Sequence, residues 1–309
     1  RFMMGAGSAF AFVGVMKIAA DWLPKERFAL VSGLTTTLGM LGAVGGEFVL
    51  SGLFEQVGVS NAINLILIIG VILTFITALC IRNHHQLKHQ SSLYSELKML
   101  GHALFKVANN KQIWINASIG ACLFTPTTFF AGQWAIPYLM DVKHLSQHHA
   151  AFISSLIFIG WAVGAPIFGW MTNRVNARKP FLIFGTSLAT LCALILLYIP
   201  FDSMPLLMLL TFLIGIFSSS EILVFAIAHD ITENYLTATA IALTNMVIML
   251  GGFLQQTVGV LLDFSHKASS VSSYTEADYQ LALSLVPVCF ILGWFLCIFL
   301  KETDCKSLD

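Results

Sequence analysis

Two carboxylates stand inside long apolar stretches of this 309-residue chain. Glu221 follows three serines in the run GIFSSSEIL, and Glu47 lies in the run GMLGAVGGEFVL. A charged side chain in hydrocarbon costs about 2.5–3.5 kcal/mol on insertion scales, so it needs a partner, a proton or a water-filled cavity. Both carboxylates are therefore candidates for binding and releasing a proton. The alternative is structural, with Glu47 hydrated near an outer rim and Glu221 hydrogen-bonded to the serines or to a neighbouring helix.

Three further polar or aromatic side chains lie in apolar stretches, namely Trp134, Asn245 and Gln256. The indole of Trp134 could stack on a bound molecule or anchor a helix at a membrane surface. The two amides could bind that molecule or hydrogen-bond between helices. The histidines and the six cysteines lack the spacing of a metal site or a disulfide framework. No phosphate-binding loop, GxSxG or HExxH motif occurs, so we expect no metal, no cofactor and no enzymatic activity.

The elements that position these side chains are predicted to be membrane helices. Hydrophobic residues make up 57% of the chain and charged residues 10%, against roughly 25% charged residues in a soluble protein. The net charge of zero argues against nucleic-acid binding. A helix needs about 20 mostly apolar residues to cross a bilayer. Nine stretches qualify: 1–20, 28–54, 62–81, 113–140, 149–172, 181–200, 206–228, 238–262 and 280–300.

Basic residues are distributed unevenly between the connections of these spans. Twelve Lys and Arg residues lie in one alternating set, and only Lys143 and Lys267 lie in the opposite set. Because cytoplasmic connections are enriched in Lys and Arg, the basic set and the C-terminus are predicted to be cytoplasmic. The longest basic connection, 82–112, has leucines at helical spacing with charges around them. That pattern predicts an amphipathic helix along the membrane surface.

The chain repeats itself once at long range. The stretch GLTTTLGMLGAVGGEFVLSGLF from Gly33 matches ALTNMVIMLGGFLQQTVGVLLD from Ala242 at a constant offset of 209 residues. Such an echo indicates a duplicated unit that holds several spans per copy. If six spans separate the echoing helices, the unit has six helices, and we expect three further helices before Arg1. Within the repeat Glu47 aligns with Gln256, so only one copy carries a charge at this position.

Three stretches resemble the motifs of a known family. The opening R-x-x-x-G-x-G, formed by Arg1, Gly5 and Gly7, is similar to a fourth-helix motif, and the glycine-rich stretch 33–46 resembles a fifth helix. The loop GWMTNRVNARKP resembles the cytoplasmic signature G-x-x-x-D-R-x-G-R-R-K. Its candidate residues are Gly169, Asn173, Arg174, Arg178 and Lys179. Together these stretches resemble the major facilitator superfamily, whose members have twelve helices in two six-helix halves. The present spans would be helices four to twelve.

The loop departs from the family signature at three positions. Asn173 stands where the family has Asp, Asn176 where it has Gly, and Ala177 where it has a basic residue. In the family, the charges of this loop hold the cytoplasmic side together in one state. With Asn173, the expected ionic latch is reduced to a hydrogen bond.

The resemblance implies an all-α integral membrane protein with three parts. These are a partial N-terminal half over 1–81, a cytoplasmic linker over 82–112, and a six-helix bundle with a short tail over 113–309. It implies secondary active transport of a small solute by alternating access, and Glu47 and Glu221 suggest proton coupling. The runs QWAIPYL and GIFSSSEIL resemble bacterial nutrient or organic-solute carriers, including a phagosomal transporter group.

The expected partners are protons, the lipid bilayer and a small molecule such as an amino acid, organic anion or sugar. The expected state is a monomer in the bacterial inner membrane. The alternative is a membrane receptor or scaffold that keeps the fold but has lost transport, suggested by Asn173 and Ala177 in the altered loop.

Overall fold

The computed structural model describes residues 2–23, 25–80, 93–266 and 274–306, and no strand occurs within these ranges. Fourteen α-helices are described. They are α1 Phe2–Trp22, α2 Lys25–Val57, α3 Val59–Cys80, α4 Leu93–Ala108, α5 Lys111–Thr125, α6 Ala135–Asp141, α7 Gln147–Val175, α8 Lys179–Tyr198, α9 Met204–Ser218, α10 Leu223–Asp230, α11 Thr237–Gly251, α12 Gln255–His266, α13 Glu276–Leu283 and α14 Leu285–Phe299.

Several spans are interrupted by short segments with a different helical pitch. A π-helix, Pro126–Trp134, joins α5 to α6. A 3₁₀ segment, Ser219–Ile222, joins α9 to α10, and another, Gly252–Leu254, joins α11 to α12. Pro126 lacks a backbone N–H, which removes a bond from the regular α-ladder where the π-helix begins. Interruptions of this kind often occur at hinges or functional sites.

Eight helical stretches of the described chain are long and apolar enough to cross a membrane. They are Arg27–Gly45, Val59–Cys80, Lys111–Asp141, Gln147–Val175, Lys179–Tyr198, Met204–Asp230, Asn234–His266 and Glu276–Phe299. Each corresponds to one of the nine predicted spans, and the remaining prediction, 1–20, falls on α1. The predicted all-helical membrane architecture is confirmed.

Among the described residues, the C-terminal helices supply most of the buried core. Large buried side chains include Trp161 on α7, Tyr138 on α6 and Phe290 on α14. By contrast, the most apolar window of α3 contains no buried residue. A helix that is apolar all round yet unburied by protein is typical of contact with lipid.

Side chains at the helix ends satisfy backbone groups that the helices leave free. Asn110 accepts from the backbone N–H of Gln112 at 3.0 Å before α5, and Thr275 and Asp278 form a capping box at α13. At the other end of α7, Asn176 adopts φ 55° and ends the helix in the left-handed conformation. Asn is the residue after Gly that most readily adopts this conformation, which explains how Asn176 replaces the family's loop glycine.

The amphipathic helix expected within 82–112 corresponds to α4, and residues 81–92 lie outside the described part of the chain. Lys106 on α4 lies 2.8 Å from Glu233 and donates to the Tyr235 hydroxyl at 3.0 Å. The hydrogen bond from Lys106 lowers the pKa of the Glu233 carboxyl below its ordinary value. The position of α4 relative to the membrane stays a prediction.

The N-terminal pair α1 and α2 packs against the C-terminal bundle near the end that carries the basic loop. Thr37 on α2 donates to the carbonyl oxygen of Ala162 on α7 at 2.6 Å. A Cβ on Gly33 would lie 2.6 Å from the carbonyl oxygen of Ala165, so only glycine permits this approach of α2 to α7. Phe12 also meets Phe225 on α10, with ring centroids 4.8 Å apart.

Candidate functional site

Glu221 lies in the 3₁₀ segment between α9 and α10 and is 3% exposed. The three preceding hydroxyls bond to their own helix: Ser218 to Ile214, Ser219 to Ile216 and Ser220 to Phe217, at 2.6–2.9 Å. Because such back-bonding competes with the regular α-ladder, the triple serine accounts for the tighter turn. The serines are not tied to the carboxylate. Within the described residues, no hydrogen bond or ion pair to the Glu221 side chain is formed.

Buried polar atoms without partners lie on α5, α7 and α11. Ser219–Ile222 packs against α5 and α7. Asn116 on α5 donates to the carbonyl oxygen of Val224 at 2.7 Å, which leaves its Oδ1 unpaired. Trp161 Nε1 on α7 and Thr244 Oγ1 on α11 also lack partners within the described chain. Unpaired buried polar atoms are rare in native proteins, so these atoms are available to bond to water or to a ligand.

Glu221 is the candidate proton site, and Asn116, Trp161 and Thr244 are candidate polar groups on α5, α7 and α11. The sequence predicted Glu221 as a candidate but did not single out Asn116 or Thr244. Their signal in the sequence is weak, because one Asn or Thr in an apolar helix usually serves packing.

The other predicted cavity residues are not brought together with Glu221. Asn245 lines a separate cleft of about 440 Å³ between α1 and α11. The cleft is otherwise apolar among its lining side chains, which include Phe10, Val13 and Met246. Trp134 lies against α12, where its Nε1 donates to the Gln255 carbonyl oxygen at 3.5 Å. Gln256 is exposed.

Several predicted residues lie wholly or partly outside the described atoms. Glu47 lies on the helical backbone of α2, but its side chain is outside the described residues. Arg1 and the surroundings of Gly5 are likewise not described. Gly7 lies on α1, and a Cβ added there would meet nothing within 4 Å.

The predicted loop motif forms a buried ionic cluster around Arg178, which is 1% exposed. Its Nε lies 3.1 Å from Asp230 Oδ2 at the end of α10. Its Nη1 donates to Thr172 Oγ1 at 3.1 Å and to Asn173 Oδ1 at 2.9 Å. Asn173 therefore keeps an acceptor where the family has a carboxylate. The sequence did not identify Asp230, because 52 residues separate the two charged partners.

The tail after α14 binds the same loop. The Glu302 carboxylate accepts from the backbone N–H groups of Arg178 and Lys179 at 2.8 and 2.9 Å. Thr303 donates to Asp230 Oδ2 at 2.9 Å. Arg174 instead lies over the Trp170 ring, 5.2 Å from its centroid. Loop, tail and α10 thus form one connected polar network, and Gly169 of the motif packs closely against Ala29 of α2.

Comparison with known proteins adds a family match. A family model described as Major Facilitator Superfamily matches residues 1–255. The chain is 24% identical over 219 residues to the probable galactarate/D-glucarate transporter GudP of Escherichia coli. It is 21% identical over 190 residues to the probable transporter MCH2 of Saccharomyces cerevisiae. These matches cover 61% and 62% of the chain but 48% and 39% of the relatives, so the chain spans less than half the length of these curated relatives.

A solved structure shares the fold. A variant of the E. coli fucose:proton symporter FucP has a TM-score of 0.67 to this chain at 15% sequence identity. The superposition covers 94% of this chain and 73% of the symporter chain.

Proposed function

Because the chain belongs to the Major Facilitator Superfamily, we propose that the protein transports a small solute across a membrane by alternating access and couples this transport to protons. The observation that carries the coupling is Glu221, which is 3% exposed and without a hydrogen-bonding partner among the described residues. A carboxyl group in such surroundings is more stable with its proton, and a change in solvent access lets the proton leave.

The proposed substrate class follows the similar proteins, whose names refer to galactarate, D-glucarate and fucose. We propose a small polar solute of this kind, a sugar or an organic anion, with amino acids as the third class to be tested. We also propose that the protein lies in the bacterial inner membrane with its C-terminus in the cytoplasm. The proposed parts of the chain are a partial N-terminal half over 1–81, a linker over 82–112, and a six-helix bundle with a short tail over 113–309. Glu47, on the helix that echoes the Gln256 helix, remains a second candidate proton site.

The packing of α2 supports the alternating-access part of the proposal. The first half of α2 contacts α7 through Gly33 and Thr37. Beyond Thr37, the described side chains of α2 up to Gly45 are exposed or half-buried. Among the described side chains, α2 therefore contacts α7 through its first half, which is the arrangement expected of one end state in a rocking mechanism.

Replacing Glu221 with glutamine tests the coupling. We expect Glu221→Gln to lower proton-driven solute accumulation in proteoliposomes about tenfold or more. Couplings between two binding sites are commonly of this size, about 5- to 150-fold in affinity. Glutamine keeps the size of the side chain but cannot release a proton. Exchange of labelled solute without a proton gradient should persist in this variant. Glu233→Gln changes an exposed carboxylate and should leave accumulation unchanged.

Two results would contradict the proposal separately. Unchanged proton-driven accumulation in Glu221→Gln would remove Glu221 from the coupling. Absence of counterflow with galactarate, D-glucarate, fucose and a panel of amino acids, in the unmodified full-length protein, would argue for the receptor or scaffold alternative.

A further inference from the structure

A band of basic and aromatic side chains lies where α5 begins and α14 ends. Lys111 is the first residue of α5, and Trp114 follows one turn later on the same side of the helix. Phe299 is the last residue of α14, and Lys301 comes two positions after it. Trp114 and Phe299 are 44% and 54% exposed, and both lysines are exposed. Because α5 and α14 belong to membrane-spanning stretches, the band lies at one membrane surface.

The side chain of Gln112 joins these two helix ends. Its Nε2 donates to the carbonyl oxygen of Phe299 at 3.2 Å, and its Oε1 accepts from the backbone N–H of Lys301 at 2.9 Å. Lys111 precedes Gln112 directly in the chain. The two exposed lysines therefore lie on helix ends that are bonded to each other.

Helix α4 borders the same band. Two residues separate its end from α5, and the indole N–H of Trp114 donates to the carbonyl oxygen of Ala108, the last residue of α4, at 2.7 Å. Val107 of α4 is buried, whereas Leu100 and Leu104, which share one face of the helix, are 51% and 47% exposed. Exposed leucines beside the end of a membrane span are typical of a helix in the interfacial zone.

The charges of the band are unbalanced. Within the described chain, the ammonium groups of Lys111 and Lys301 form no hydrogen bond or ion pair. The carboxylate of Glu302 accepts from two backbone N–H groups at the start of α8. Lys179 donates to a backbone carbonyl oxygen near the end of α14 at 3.0 Å and adds a third positive charge. With Glu302 and the exposed Asp304 both counted, the three lysines still leave a net positive charge.

We propose that this band binds the headgroup of an anionic phospholipid, whose acyl chains lie along Trp114, Phe299 and the exposed leucines of α4. The ammonium groups of Lys111 and Lys301 donate to the phosphate oxygens. Each lysine near a membrane surface favours an anionic lipid about fivefold. Aromatic rings at the end of a span lie at the level of the headgroups and the upper acyl chains.

A lipid bound in this way contacts α4, α5 and α14 together. It therefore fastens the linker helix to the C-terminal bundle from the membrane side, where Leu100 and Leu104 have no protein contact to bury them. This binding is separate from the proposed solute transport and does not require it.

Native mass spectrometry of the full-length protein in detergent measures the binding of single lipids. We expect the first dioleoyl phosphatidylglycerol to bind about tenfold or more tightly than the first dioleoyl phosphatidylcholine, because only phosphatidylglycerol has a net negative headgroup. Lys111→Gln and Lys301→Gln should each weaken phosphatidylglycerol binding about fivefold, and the double variant about twentyfold or more. Binding of phosphatidylcholine should stay the same in all three variants.

Two controls keep the charge of the band, and a third replaces the lipid. Lys111→Arg combined with Lys301→Arg should retain the affinity for phosphatidylglycerol. Lys306→Gln should also retain it, since Lys306 follows Cys305, whose thiol contacts the Thr172 carbonyl oxygen of the loop network at 3.6 Å. Glycerol phosphate in large excess should not displace the lipid, because it has no acyl chains to contact the aromatic rings and leucines.

Three results would overturn the lipid site: equal affinity for the two lipids, an unchanged affinity in the double glutamine variant, or a loss of the same size in Lys306→Gln. Displacement by glycerol phosphate would also reject it and identify a site for soluble phosphate instead. None of these measurements involves a transported solute. A failure of the lipid site is therefore distinguishable from a failure of the proposed transport.

Discussion

Replacing Asp230 with alanine is expected to destabilise the protein by about 3–5 kcal/mol, the usual cost of leaving one partner of a buried ion pair uncompensated. Arg178 is 1% exposed and Asp230 3% exposed, so solvent cannot replace the lost partner. The substitution also removes the acceptor for the Thr303 hydroxyl of the tail. In a mild detergent, the thermal unfolding midpoint should fall on the order of 10 °C, at ~2–4 °C per kcal/mol.

A matched control and a double variant isolate the ion pair. Asp202→Ala removes an exposed carboxylate from the connection between α8 and α9, and its midpoint should stay within about 1–2 °C of the unmodified protein, since exposed substitutions usually change stability by under ~0.5 kcal/mol. Arg178→Met combined with Asp230→Leu should recover much of the loss, because neither member of the buried pair is then charged. A midpoint for Asp230→Ala equal to that of Asp202→Ala would show that the buried pair does not stabilise this end of the protein.

Adding side chains where α7 crosses α9 is expected to have the second large effect. At this crossing, Gly160 on α7 faces the backbone of α9, and Gly215 on α9 faces the backbone of α7. A Cβ on Gly160 would overlap the Phe212 carbonyl oxygen, and a Cβ on Gly215 would overlap that of Ile157. Both obstacles are backbone atoms, so a larger residue can be accepted only if the helices move apart. We expect Gly160→Val and Gly215→Val each to cost about 3 kcal/mol or more, at the upper end of overpacking effects.

Gly70→Val is the matched control, because Gly70 on α3 has nothing within 4 Å of a built Cβ. This variant should unfold at or near the temperature of the unmodified protein. The yield of monodisperse protein in size-exclusion chromatography and the unfolding midpoint measure the effect. Equal behaviour of Gly160→Val and Gly70→Val would contradict the close crossing of α7 and α9.

The helices were predictable because their signal is local. The span 62–81 contains no charged residue and is apolar at nearly every position, so the sequence predicts a membrane helix, and the structure has Val59–Cys80 without a buried residue in its most apolar window. The interruptions were less predictable. Three serines before Glu221 indicated possible bonds to the carboxylate, but the hydroxyls bond to their own helix and tighten the turn instead.

The residues of the candidate sites were likewise predictable only in part from the sequence. The loop motif from Gly169 to Lys179 was recognisable by its spacing, and the sequence also predicted that Asn173 provides at most a hydrogen bond. Neither Asp230 nor Glu302 could be assigned to Arg178, because partners 52 and 124 residues away leave no periodic trace. The roles of Glu47, Trp134, Asn245 and Gln256 in a cavity stay predictions.

The sequence by itself determined that this protein is a bundle of membrane helices, because hydropathy depends only on neighbouring residues along the chain. The constant repeat offset predicts in addition that the bundle is built on a duplicated unit. Only the tertiary structure decided which polar groups are buried together: Arg178 with Asp230, His229 against Phe28, and Glu221 without a partner in the described chain. The physical reason is that the free energy of a charge depends on its surroundings in three dimensions. In this protein those surroundings come from helices far apart in the chain.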